Sequence, residues 1–249
     1  MAVDLAWIAA PALALLAACV LLVPLGAQVL ARGVVFIDLA VAQVAAGGAL
    51  AVGIGWEGAP PSVVAVASAG AALLGAGIVW WLARRWPQQR EALIGLVYVA
   101  GASACVIGAA LDPHGREKLT ALLAADILWV RWQAVATLAA GAAVVLALAG
   151  RDGQRLGRDA LFYPVFALAL SVAVPALGLY LVFALLIAPA LWTRRGRRLP
   201  VAIALAVLAS MAGLGLSWAL DWPSGACVAL LLCLLGLAAV LAQGGEPGA

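Results

Sequence analysis

Every second gap between the long apolar runs of this chain carries arginine. Arg32 lies in the first gap, Arg84, Arg85 and Arg90 in the third, Arg151, Arg155 and Arg158 in the fifth, and Arg194, Arg195, Arg197 and Arg198 in the seventh. The second, sixth and eighth gaps hold no basic residue. The fourth and longest gap, with Arg116, Lys118 and Arg131, is the exception. A chain that crosses a bilayer repeatedly shows alternate gaps to the same side, and Lys and Arg are held on the cytoplasmic side. The pattern predicts a polytopic membrane protein with its odd gaps cytoplasmic, its N-terminus outside and its C-terminus inside.

The apolar runs predict about nine transmembrane helices in a single bundle: Leu5 to Ala31, Val34 to Gly55, Val63 to Trp86, Ala92 to Leu111, Gln133 to Gly150, Ala160 to Ala176, Leu179 to Trp192, Val201 to Ala219, and Cys227 to Ala242. Only 10% of the residues are charged and 67% are hydrophobic, where a soluble surface needs about 25% charged. Barrel strands would alternate with period two, and runs such as Val201 to Leu216 do not. The stretch from Lys118 to Val130 is too short to cross and reads as a half-helix or interfacial segment leading into the fifth span. The sixth and seventh spans, short and joined by Pro175 to Gly178, have the form of a tight hairpin. Small-residue runs, Ala45 to Gly55 and Gly70 to Val79, would let helix backbones approach closely. The N-terminal segment has Asp4 in place of a basic signal-peptide start and reads as an uncleaved first span. With every gap short, residues 1–249 read as one transmembrane domain with no soluble domain attached.

In so apolar a chain each intramembrane polar group is informative. Asp38, at the start of the second span, either bonds backbone or Arg32 near the interface or lines a pathway. Gln43 follows five residues later, about 140° around the helix, so the two do not share a face. Asp126 either pairs with Arg131, caps a helix end or contributes to the pathway. Glu91 opens the fourth span, where the helix dipole favours a carboxylate. His114, the only histidine, lies in an external gap and reads as solvated. Cys19, Cys105, Cys227 and Cys233 lack metal or redox spacing and read as buried apolar thiols. There is no G-x-x-x-x-G-K-[ST] and no H-E-x-x-H, so the chain is not itself expected to be an enzyme. Ser103 with His114 lacks the geometry of an intramembrane protease, because His114 is in a loop. The net charge of +3 is too small, and too confined to gaps, to argue for nucleic acid.

Five segments together resemble the membrane subunit of ABC-type divalent metal importers, the ABC-3 family of zinc, manganese and iron permeases. They are Pro24 to Gly53, Glu91 to Ala104, Leu122 to Val130, Gly178 to Arg195, which ends in Pro-Ala and a basic pair, and Gly215 to Gly236, with its Asp-x-Pro. The resemblance implies an all-α permease fold like that of the vitamin B12 importers. It also implies a dimeric pathway, a cytoplasmic ATP-binding subunit that hydrolyses ATP, and an extracytoplasmic metal-binding protein, in a bacterial inner membrane. The divalent metal ion would be cargo, with no cofactor resident in this chain, and Asp38, Gln43 and Asp126 are the candidate metal contacts. Two departures stand out. Where the family places a histidine one turn after the aspartate, this chain has Ala42 beside Gln43, and oxygen ligands suit harder cations than an imidazole does. The fifth gap, Arg151 to Asp159, is shorter than the segment with which many relatives dock onto the ATPase. Two other readings are an autonomous secondary transporter, which would ordinarily show inverted repeats, and a non-transporting scaffold subunit.

Overall fold

The computed structural model describes residues 6–34, 36–56, 58–110, 114–123, 127–149 and 156–242. Ten α-helices run through them: α1 (Ala6–Arg32), α2 (Ile37–Gly55), α3 (Pro61–Arg85), α4 (Arg90–Ala110), α5 (Gly115–Leu123), α6 (Trp132–Ala149), α7 (Asp159–Leu177), α8 (Leu179–Arg194), α9 (Leu199–Leu220) and α10 (Ser224–Leu241). No strand occurs among the described residues. Eight of the helices are long and apolar enough to cross a membrane. The ninth expected span, α8, has 16 residues, about 24 Å of helix against a hydrocarbon core of about 30 Å. Its shortness is masked by position: most of α8 is buried between α1 and α10 rather than facing lipid. The chain is a multi-pass membrane protein.

The predicted half-helix is α5, nine residues that end at Leu123, followed by a 3-10 turn at Ile127–Trp129. The Ile127 N–H donates to the buried Ser224 hydroxyl at 3.1 Å, which fixes this turn to the start of α10. The expected hairpin of the sixth and seventh spans does not form as a packing unit. One residue, Gly178 at φ +80°, separates α7 from α8, but α7 packs mainly on α3 and α2, and α8 on α1 and α10. The helices thus fall into two groups, α1 with α6, α8, α9 and α10, and α2 with α3, α4 and α7.

Small residues set the closest approaches, as the sequence predicted for two runs. A Cβ on Gly48 would lie 2.5 Å from Ala71 Cβ, and one on Gly75 would lie 3.0 Å from Val44 Cβ, so α2 and α3 meet nearly backbone to backbone. Gly26 of α1 is tighter still, because a Cβ there would overlap the Leu186 carbonyl of α8. The Asp-x-Pro of the last turn also has a local cause. Asp221 ends α9 in the left-handed conformation (φ 54°), the Ser217 hydroxyl donates to the Trp222 carbonyl at 2.6 Å, and Pro223 begins α10. One expectation fails: Cys19, Cys105 and Cys227 are buried, but Cys233 is exposed on α10. An exposed apolar side chain on a membrane helix faces lipid at no cost, so an apolar run does not reveal which thiols are buried.

Exposed tryptophans mark both ends of the bundle. Trp80, Trp81 and Trp86 lie at the arginine end, and Trp56, Trp129, Trp132, Trp218 and Trp222 at the other. They form the two aromatic belts expected where a helix bundle meets the headgroup layers.

Candidate functional site

α1 ends at Arg32, whose charge suits the helix C-terminus. The guanidinium is almost fully occupied. Its Nε donates to Asp159 Oδ1 at 3.2 Å, and Nη1 donates to the Gln28 side chain and carbonyl at 2.8 and 3.2 Å. Nη2 donates to the carbonyls of Leu156 and Gly157, both at 3.0 Å, and the group lies 4.1 Å over the Phe162 ring. The first gap is thereby locked to the end of the fifth gap and the start of α7. These two arginine-bearing gaps lie at the same end of the bundle, as their alternation predicts.

One turn past this clamp, α2 begins. Asp38, in its first turn, is 2% exposed. It does not pair with Arg32, whose carboxylate partner is Asp159. Instead Asp38 Oδ1 accepts the Leu39 N–H at 2.8 Å, in keeping with the preference for an acidic residue at a helix start. Oδ2 is buried and has no hydrogen-bond partner. A buried carboxylate oxygen without a partner is costly, and a structure that keeps one commonly does so for a function.

Gln43 lies one and a half turns deeper and is 5% exposed. With Ala42 and Ala46 it lines a cavity of about 10 Å³, closed by Leu119 and Leu123 of α5 and by Val174 and Leu179 of the α7–α8 junction. That space is at the threshold for one water molecule. α4 backs the same turn: Gly101 lies against Gln43, and the Cys105 thiol donates to the Gln43 carbonyl at 3.6 Å. Asp38 does not line this cavity, so the two candidates occupy successive levels of α2, as their 140° separation implies. Ala42, at the family's histidine position, lies on the cavity wall.

Asp126 lies outside the described residues, as do 150–155 of the fifth gap. His114 is exposed, and Glu91 opens α4 with a buried, unpartnered Oε2. Among the described residues no group of three or more His, Cys, Asp or Glu is placed to hold a metal ion. The sequence reading missed the Arg32 clamp, whose partners lie 124 to 127 residues away. The available signal was Arg32 as the lone arginine of its gap.

Comparison with known proteins agrees with the resemblance read from the sequence. Residues 157–243 match the model of the ABC 3 transport family. The fold is shared with a chain of the structure of PsaBC from Streptococcus pneumoniae in complex with Fab, with a TM-score of 0.74 and 15% identity over 94% of this chain and 90% of that one. The family match covers the C-terminal third of the chain, and the shared fold extends over nearly all of it.

Proposed function

We propose that this chain is the membrane subunit of an ABC transporter, the permease of an ATP-driven importer for divalent metal ions, zinc, manganese or iron. In this reading two copies form the pathway in a bacterial inner membrane, with the C-termini in the cytoplasm. Separate cytoplasmic ATPase subunits drive the cycle, and an extracytoplasmic binding protein delivers the metal. The observation that carries the reading is Asp38: a carboxylate buried in a membrane helix with one oxygen unpartnered. A passing cation would remove the cost of that oxygen.

Gln43 supplies a second oxygen ligand one and a half turns further out, and Asp126 is kept as a third candidate. Carboxylate and amide oxygens form a hard ligand set, so manganese or iron(II) is favoured over zinc. One carboxylate and one amide per chain also bind weakly, as a conducted ion requires. On the outer side, Leu119, Leu123, Val174 and Leu179 close over the Gln43 level. On the inner side, the Arg32 clamp closes the entrance to α2. Transport would require these two closures to open in alternation, and ATP binding by the partner would act on the inner one through the fifth gap and the arginines of the seventh.

The first test is to purify the tagged full chain from its native membrane in mild detergent and identify what accompanies it. A stoichiometric ATPase is the expected result. Repeated recovery of the chain alone, with that ATPase present in the same membranes, would overturn the reading.

A further inference from the structure

A second polar site lies at the arginine end, beside the Arg32 clamp. Trp80 and Arg84 near the end of α3, Arg90 at the start of α4, Arg32, and Asp159 and Tyr163 of α7 surround an open basin of about 410 Å³. Its charge is unbalanced. Asp159 is engaged by Arg32 at 3.2 Å, which leaves Arg84 and Arg90 without a carboxylate partner among the described residues. The Arg84 guanidinium lies 5.7 Å from the centre of the Trp80 ring. Arg90 is half-buried against Gly33 and is the first residue of α4, so its guanidinium adds to the positive end of the helix rather than opposing it. A paired guanidinium site of this kind takes a phosphate, which two planar forks can each hold bidentately.

The surroundings identify the bearer of the phosphate. The basin opens at the level of the exposed Trp80, Trp81 and Trp86, the belt that lies among lipid headgroups. From there toward the membrane interior, the face of α3 that carries Trp80 and Arg84 continues through the exposed Gly77, Leu73 and Gly70. A headgroup in the basin would lay its acyl chains along that face. Basic pockets between membrane helices on the positive side are the usual setting for acidic headgroups. We propose that the basin binds the headgroup of an anionic phospholipid from the arginine-side leaflet, with Arg84 and Arg90 as the phosphate-binding pair and Trp80 and Tyr163 as its walls. The proposal does not depend on what the chain transports.

The test uses the full chain in nanodiscs of phosphatidylcholine containing increasing phosphatidylglycerol. Bound lipid is read by native mass spectrometry and the unfolding midpoint by heating. Wild type is expected to retain phosphatidylglycerol in preference to phosphatidylcholine and to gain thermal stability as its fraction rises. Arg84→Gln and Arg90→Gln should each weaken retention about fivefold, and the double variant about twentyfold or more. Arg85→Gln removes the same charge from the same gap but does not line the basin, and should retain the lipid. Ala83→Trp fills the basin with every charge intact and should lose it, which keeps the test valid if the double variant inserts poorly. Equal retention of the two lipids by wild type, or equal losses in Arg84→Gln and Arg85→Gln, would overturn the proposal. Stabilisation by millimolar inorganic phosphate equal to that by the lipid would make this a free-anion site and overturn the lipid assignment.

Discussion

At the scale of single residues, two groups at the arginine end carry the sharpest consequences. Asp38→Ala removes the unpartnered oxygen and should insert normally. With the ATPase and binding protein co-expressed, initial metal uptake should fall about tenfold, the equivalent of ~1.4 kcal/mol of lost ligand interaction. Radiotracer uptake at matched membrane level measures this, and an unchanged rate would remove Asp38 from the pathway. Arg32 makes a different kind of prediction. Asp159 is 61% exposed, so the ion pair itself contributes little; the carbonyls of Leu156 and Gly157 bind the part-buried guanidinium. Asp159→Asn should therefore shift stability by no more than about 0.5 kcal/mol. Arg32→Ala should cost about 3 kcal/mol, and Arg32→Lys should not restore it, because an ammonium cannot reproduce the fork. Thermal unfolding of the three variants in the same detergent decides this, and equal effects of Arg32→Ala and Asp159→Asn would show that the ion pair dominates. The candidate site was partly legible: Asp38 and Gln43 stand out as polar groups in an apolar run. The clamp was not, because its partners are distant in sequence, and Asp126 lies outside the described residues.

Helix by helix, the sequence predicted where elements lie far better than how they pack. Bilayer thickness and the charged gaps define start and stop signals within the chain itself, so the boundaries of the nine expected spans lie within a few residues of those predicted, whereas α5, which has no such signal, ends at Leu123, seven residues before the expected Val130. Packing partners follow from side-chain complementarity across the bundle, which apolar runs of similar composition do not encode locally. For that reason the α7–α8 hairpin and the burial of Cys233 were misread. Glycines show the same limit. Gly26 and Gly70 are indistinguishable as letters in apolar runs, yet a Cβ overlaps the α8 backbone at Gly26 and meets nothing within 4 Å at Gly70. Gly26→Ala should destabilise the chain by about 1–3 kcal/mol through separation of α1 from α8, whereas Gly70→Ala should leave its thermal midpoint unchanged. A neutral Gly26→Ala would mean that α1 and α8 do not cross so closely.

Across the whole molecule, orientation is the property most directly tied to the arginines. Single cysteines placed at Gln88 and Gly196, in a background lacking the four native cysteines, should react with a membrane-impermeant maleimide only from the cytoplasmic side. Cysteines at Gly58 and Trp222 should react only from outside. The reverse pattern would invert the protein and exchange the sides assigned to the two closures. α1 carries one more consequence, for how the chain is made. It leaves the ribosome long before the partners it packs against: the Cys19 thiol meets Ser210, 191 residues later, and Arg32 reaches Asp159 after 127. At translation rates of about 5–20 residues per second, Arg32 waits roughly 6–25 s for its partners. During that time α1 must be held in the membrane by its hydrophobicity or by the insertion machinery. The guanidinium then acts as a molecular timestamp, satisfied only once the seventh helix has entered beside the first.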